Sequence, residues 1–300
     1  MVKKTLLLFF ILFAAYTLVV VYVADPNRYI SEHQWQDNQI KTQRYLFSDT
    51  DSIEAIIVGS SLCERLYMNQ LPHFYNLGLL GLSSVDGLFT VVEKGVYPKY
   101  IFVEMNHIDR SLNEELKTSI SNPLMTPLRH YIPSLRDGKQ PMSFIAIPYG
   151  QKATAYGVYL LQTGLGKITA SDERGKDTLE HVDMLSKILP QAIEYHSKVP
   201  ENLEKDTQAL RKYVDEVILH GSTVVFFEMP VQYQLCGLSR GAAIREQMYK
   251  TFPRDEFHYI DMPDCNDYTT TDGDHLDALS AEKYTRYFRQ EIDSIKSLNK

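Results

Sequence analysis

Five short apolar runs constrain the fold of this chain more than any other feature. They are residues 54–58, 74–77, 100–105, 223–227 and 258–260. None alternates polar and apolar residues over its whole length, as a strand with one wet face would. Between them lie stretches with helical spacing. Residues 84–94 carry Val85, Leu88, Phe89 and Val92 behind a Ser83 or Ser84 cap. Residues 202–219 carry Leu203, Leu210, Val214, Val217 and Ile218 ahead of Gly221, and residues 280–298 carry Ala281, Tyr284, Phe288, Ile292 and Ile295. Continuous apolar strands separated by helices predict an α/β domain with a parallel sheet covered on both faces.

The N-terminus sets the cellular context. Residues 5–24 carry no charge and are almost wholly apolar, and about 20 such residues span a hydrocarbon core. Lys3 and Lys4 precede the run, which predicts a cytoplasmic N-terminus. A cleaved signal peptide would end on small residues at alternate positions, but Tyr22 stands where one is needed before Ala24. The expected organisation is a cytoplasmic stub and transmembrane anchor over 1–24 and a polar stalk over 25–51, which holds the only tryptophan, Trp35. A catalytic domain over 52–300 follows, outside the cytoplasmic membrane. Residues 108–199 break the strand–helix rhythm with Pro123, Pro127, Pro133, Pro141 and Pro148 and are too long for a simple connection. They are expected to form a mostly helical insertion, with a helical segment over 177–196.

The net charge of −7, without a basic run beyond the first residues, argues against a nucleic-acid partner. The 20 tyrosines suit sugar contact, because the ring stacks and the hydroxyl bonds, or simply half-buried packing. Cys236 and Cys265 each follow a predicted strand, so their loops reach one end of the sheet, where they either form a disulfide or stay as thiols. Cys63 is expected to be a buried small side chain, and the cysteine spacing resembles no zinc site.

The chemistry gathers at the strand ends. The first strand runs into Gly59-Ser60-Ser61, which places Ser61 where an open α/β sheet binds ligands, or else as a helix-capping serine. A helix starting there would lend its dipole to a forming alkoxide. A serine nucleophile needs a base, and the base needs an orienting carboxylate. Asp272 and His275, three residues apart, supply both; Asp274 and Asp277 compete with Asp272 for the carboxylate role. Oxyanion donors are expected from the Ser61 amide, from Gly81 in the stretch Asn76-Leu77-Gly78-Leu79-Leu80-Gly81, and from the Asn106 side chain. His107, directly after the third strand, is either a substrate contact or a structural residue.

The succession Gly59-Ser60-Ser61, Asn76 to Gly81, Asn106 and Asp272-x-x-His275 resembles the four blocks of SGNH (GDSL-type) hydrolases. The resemblance covers roughly residues 55–106 and 206–295. It implies a flavodoxin-like three-layer fold with about five parallel strands. It also implies Ser61 as nucleophile and first oxyanion donor, Gly81 and Asn106 as the other donors, His275 as base and Asp272 as its partner. The chain departs from the pattern at Ser60, where an aspartate is usual, and at Glu104-Met105-Asn106-His107, where Gly-x-Asn-Asp is usual. These departures resemble membrane-anchored branches that modify surface polysaccharides beside polytopic membrane acyltransferases.

The expected activity is therefore ester hydrolysis or acyl transfer on an acylated glycan or another small ester, with no metal and no cofactor. The competing expectation is a non-catalytic partner of a membrane-bound acyltransferase that keeps the fold. A phosphodiesterase or nucleotide-binding protein is disfavoured by the lack of a Gly-rich phosphate loop and a metal cluster.

Overall fold

The computed structural model describes residues 2–22, 34–49, 52–139 and 173–298. Residues 140–172, with Pro141 and Pro148, and residues 23–33 and 50–51 of the stretch read as a stalk lie outside the described residues. So do the side chains of 173–184, at the start of the helix expected over 177–196. The chain divides into two compact units, Met1–Ser48 with Thr118–Ser171, and Asp49–Lys117 with Asp172–Lys300.

The larger unit holds five parallel strands: β1 (Ala55–Gly59), β2 (Phe74–Gly78), β3 (Tyr100–Glu104), β4 (Thr223–Phe227) and β5 (His258–Ile260). Their order in the sheet is β2-β1-β3-β4-β5. This is the flavodoxin-like doubly wound order, which leaves a crevice outside the strand ends where the order reverses beside β1. Every residue of β1 and β3 is buried, as the continuous apolar runs require.

In the numbering used here, the first unit contributes α1 (Val2–Tyr22) and α2 (Gln34–Phe47), α3 is Ser84–Lys94, α4 is Glu114–Ile120 and α5 is Met125–Tyr131. Further on come α6 (Glu173–His196), α7 (Leu203–Leu219), the one-turn α8 (Tyr233–Cys236), α9 (Ser239–Thr251) and α10 (Ala278–Leu298).

On one face of the sheet, α10 packs Tyr284, Phe288, Ile292 and Ile295 over Ala55, Ile57, Phe102, Val225 and Phe227. Ring contacts tie this layer together: Phe288 meets Phe227 at 4.8 Å and Phe102 at 5.4 Å between centroids. On the other face, α3 lies against β1, where Gly87 permits close approach. An added Cβ there would stand 2.7 Å from the Val58 side chain. The first turn of α3 is closed by Asp86, whose carboxylate accepts the Ser83 N–H at 3.0 Å. Its end is set by Gly95 in the left-handed region, φ 67°.

The stretch after Ser61, readable as a helix or a turn, takes the turn. The residues after Ser61 form only a 3₁₀ turn, Cys63–Arg65, because Leu66 returns to extended backbone. No helix of useful length therefore begins at Ser61, and the dipole argument for its alkoxide lapses. A 13-residue helix, α9, stands where no element was read. Its sequence, Ser-Arg-Gly-Ala-Ala-Ile-Arg-Glu-Gln-Met-Tyr-Lys-Thr, buries only Arg240, Ile244 and Met248, too narrow an apolar stripe to announce itself.

In the smaller unit, α1 is long and apolar enough to cross a membrane, with a mean hydropathy of 2.5 and almost no buried side chains. Tyr16 donates its hydroxyl to the Lys139 carbonyl at 2.6 Å, and the Thr17 and Ser134 hydroxyls are 2.9 Å apart. The Gln43 amide of α2 donates to the Asp137 carboxylate at 2.5 Å.

Candidate active site

Ser61 follows β1, whose last residue is Gly59. A side chain at Gly59 is excluded by β3, because an added Cβ would lie 2.7 Å from the Glu104 carboxylate. The turn is held locally. The Leu62 N–H donates to Ser60 Oγ at 3.2 Å, and the Asn76 amide of β2 donates to the Cys63 carbonyl at 2.7 Å. The Leu79 N–H donates to the Gly59 carbonyl at 2.9 Å, which binds the end of β2 to the end of β1. Ser61 itself remains partly exposed.

The other half comes from the loop between β5 and α10. Its shape is set by Asp272, whose Oδ1 accepts the backbone N–H groups of Asp274 at 3.1 Å and His275 at 2.8 Å. Gly273 takes φ 101°, which a side chain would strain. The loop is pinned by the Gln232 N–H, which donates to the Gly273 carbonyl at 2.8 Å, and by Thr270 Oγ1, which donates to Gln232 Oε1 at 2.8 Å.

This loop brings His275 to Ser61. His275 Nε2 lies 2.8 Å from Ser61 Oγ, and His275 Nδ1 lies 2.7 Å from Asp272 Oδ2. Burial raises the Asp272 pKa, but the hydrogen bonds and charge of His275 outweigh it and bring the carboxyl down to about 2. Ionised, Asp272 only accepts, so Nδ1 carries the imidazole proton and Nε2 is left to accept from the serine hydroxyl. The competing carboxylates have other partners. Asp274 Oδ1 meets His196 Nε2 at 2.8 Å, and Asp277 accepts the Ser280 N–H at 2.8 Å and the Thr269 hydroxyl.

The three expected oxyanion donors differ in their commitments. Among the described residues, neither the Ser61 nor the Gly81 N–H has a hydrogen-bond partner, and Gly81 is exposed at φ 72°. Asn106 is tied to the chain beyond β4: its amide donates to the Met229 carbonyl at 2.8 Å and its oxygen accepts the Met229 N–H at 2.8 Å. One Asn106 N–H stays available, in a plane fixed by the double bond to Met229.

A pocket opens beside the triad, walled by Leu62, Val231, Leu235 and Ile244, with Asn106 and Asp274 at its polar side. His107 lies in its wall and is buried. Burial, reinforced by the Arg110 charge, lowers its pKa to about 3, so it is neutral at ordinary pH. Around it stand His196 from the end of α6, the Arg240–Asp109 ion pair, and Glu228 with Arg245 at 2.8 Å. Sequence reasoning missed His196, Arg240 and Glu228. Their only signal was placement, at helix ends and just after β4, and each residue alone reads as an ordinary surface group.

Cys236, at the pocket wall, is joined to Cys265 by a disulfide, and Cys63 is a buried thiol outside it. The bridge links the loops after β4 and β5, the two that carry the pocket wall and the histidine. No protein-family model, curated protein or solved structure matches the chain.

Proposed function

We propose that this chain is a serine esterase or acyltransferase, anchored by α1 and acting on acyl esters of cell-surface glycans. The observation that carries this reading is the contact chain Ser61–His275–Asp272, closed at 2.8 and 2.7 Å by residues 214 positions apart. Such a chain turns a hydroxyl into a nucleophile at neutral pH.

His275 Nε2 takes the Ser61 proton as Oγ attacks the ester carbonyl. The tetrahedral oxyanion is met by the Ser61 and Gly81 amides and the free Asn106 N–H. As the intermediate collapses, the C–O bond to the alcohol breaks and His275 returns the proton to the leaving oxygen. Water, or a sugar hydroxyl, then attacks acyl-Ser61 in the same way, giving hydrolysis or transfer. In the transfer direction the acyl donor is a polytopic membrane acyltransferase or its product. The sidedness follows Lys3 and Lys4, which favour an N-terminus in the cytoplasm and a catalytic unit outside it. The glycan as acceptor rests on the resemblance to SGNH hydrolases and on the abundance of tyrosine.

The test is turnover of small acyl esters and acetylated sugars by the purified full chain. Ser61→Ala is expected to lose measurable turnover while keeping its melting temperature. Undiminished turnover in that variant rejects the assignment.

A further inference from the structure

The smaller unit carries a second surface suited to the membrane, a reading that rests on α1 being the span. The α1 helix has 21 residues, a length of about 31 Å at 1.5 Å per residue. A hydrocarbon core is about 30 Å thick. The uncharged residues 5–24 are about what a span needs, so with Lys3 and Lys4 at the inner face the outer third of α1, Tyr16 to Tyr22, stays within the lipid. Yet it is this third that bonds to the rest of the unit, Tyr16 to the Lys139 carbonyl and Thr17 to Ser134. Tyr16 lies six residues before Tyr22, or about 9 Å along the axis. Residues 134 and 139 must therefore lie at the level of the outer interface or below it. Lifting α1 to free them would leave about 22 Å of helix for the span and draw Lys3 and Lys4 inward.

The neighbouring residues have the surface this position needs. Leu128 and Tyr131 of α5 and Leu124, the right-handed residue just before it, are spaced i, i+4 and i+7 and share one face. They are 67%, 36% and 80% exposed, and Pro123 and Pro127 are exposed beside them. The two arginines of the segment are bonded back onto the chain, while the His130 ring is exposed between Tyr131 and Phe47. Arg129 pairs with Asp137 at 3.2 Å and donates to the Ser119 carbonyl. Arg136 donates to the carbonyls of Arg129 at 2.8 Å and His130 at 3.1 Å, which satisfies the open end of α5. Satisfied backbone, a neutralised charge and an apolar outer face with a tyrosine at its edge are what a headgroup–acyl boundary selects.

We propose that residues 123–139 form a foot that lies in the outer membrane interface beside α1, with Pro123, Leu124, Pro127, Leu128 and Tyr131 against lipid. The occupant of this face is the bilayer itself, because the same segment is bonded to α1, the span, at Tyr16 and Thr17.

The test uses the full chain in nanodiscs with an environment-sensitive thiol label. Cys63 is buried and Cys236 is bridged to Cys265, so an introduced cysteine is the accessible one. The variants are Tyr131→Cys and Leu128→Cys on the foot, Leu12→Cys on α1, and Leu279→Cys, exposed on α10. The foot and α1 labels are expected to lose fluorescence when lipids with a spin label high on the acyl chain are added. The Leu279 label is expected to respond only to aqueous iodide. Lipid quenching at Leu12→Cys with iodide quenching at both foot sites overturns the foot and leaves the anchor standing; the face is then open to a protein partner. Iodide quenching at Leu12→Cys overturns the span and the foot together, while ester turnover, read separately, is unaffected by either result.

Discussion

The Glu104 carboxyl accepts the backbone N–H of Ser60 at 2.6 Å, across the boundary between β3 and β1 and one residue ahead of Ser61. Ser60 and Glu104 are two of the positions, with His107, at which the chain departs from the SGNH pattern it resembles, and these two contact each other. Glu104 is wholly buried, and burial raises its pKa against the opposing bonds from Ser60 and Cys63, which favours the neutral acid. Glu104→Gln keeps an acceptor oxygen and is expected to cost less stability than Glu104→Ala. The alanine variant leaves the Ser60 N–H unpaired and opens a cavity, a loss of about 2–5 kcal/mol. Thermal denaturation of both variants checks this, and an alanine variant as stable as the glutamine one contradicts it.

Asp272 and Asp274 are two residues apart, yet only Asp272 meets His275. The prediction is a wide separation between two like substitutions. Asp272→Asn is expected to lower kcat by about 10³–10⁴, since it removes the group that holds the imidazole tautomer. Asp274→Asn loses a bond to His196 and is expected to cost less than about tenfold, as an indirect effect on the loop. Equal losses in the two variants contradict the assignment of partners.

Asn106 combines two duties, a double bond to the Met229 backbone and a remaining N–H at the edge of the pocket. Asn106→Ala is expected to lower kcat by about 10²–10³ with a smaller change in KM, the mark of a donor used in the transition state. It should also lower the melting temperature, because both Met229 groups lose their partners. A lower melting temperature with unchanged kcat would reduce Asn106 to a structural tie.

His107 makes a pH prediction. Its pKa falls from 6.5 to about 3 on folding, so the unfolded chain binds the extra proton throughout that window. Stability therefore rises with pH across it and is lost as pH drops from about 6.5 towards 3. The limiting slope is about 1.4 kcal/mol per pH unit. Denaturant unfolding of wild type and His107→Gln across this range should give curves that converge at acid pH. Parallel curves would show that His107 charges freely in the folded protein.

Much of this arrangement was legible in the chain, and the reasons are local. The runs at 100–105 and 223–227 announced buried strands because nothing charged interrupts them from Tyr100 to Val103 and from Thr223 to Phe227. The α3 helix was legible from Val85, Leu88, Phe89 and Val92 at helical spacing behind Ser83 or Ser84. Ser61, Asp272 and His275 were legible because chemistry demands those residue types and a parallel sheet gathers strand ends on one edge. What stayed hidden depends on tertiary placement. Asp272, Asp274 and Asp277 are equivalent until the turn at Gly273 assigns each a direction. His196 reaches the site from α6, nearly 80 residues before its partner Asp274, and no periodicity encodes that meeting. The stretch after Ser61 reads as either a helix or a turn, because a short apolar pattern such as Leu62, Cys63 and Leu66 suits a 3₁₀ turn as well as a helix.

The most direct test of the account is covalent. The full chain would be treated with a fluorophosphonate and digested, and the modified peptide identified by mass spectrometry. The account predicts a single phosphonylated serine, Ser61, with labelling lost in His275→Ala and Ser61→Ala. Labelling at another serine, or none at Ser61 while His275 remains within hydrogen-bond reach, would contradict the claim that this hydroxyl is a nucleophile.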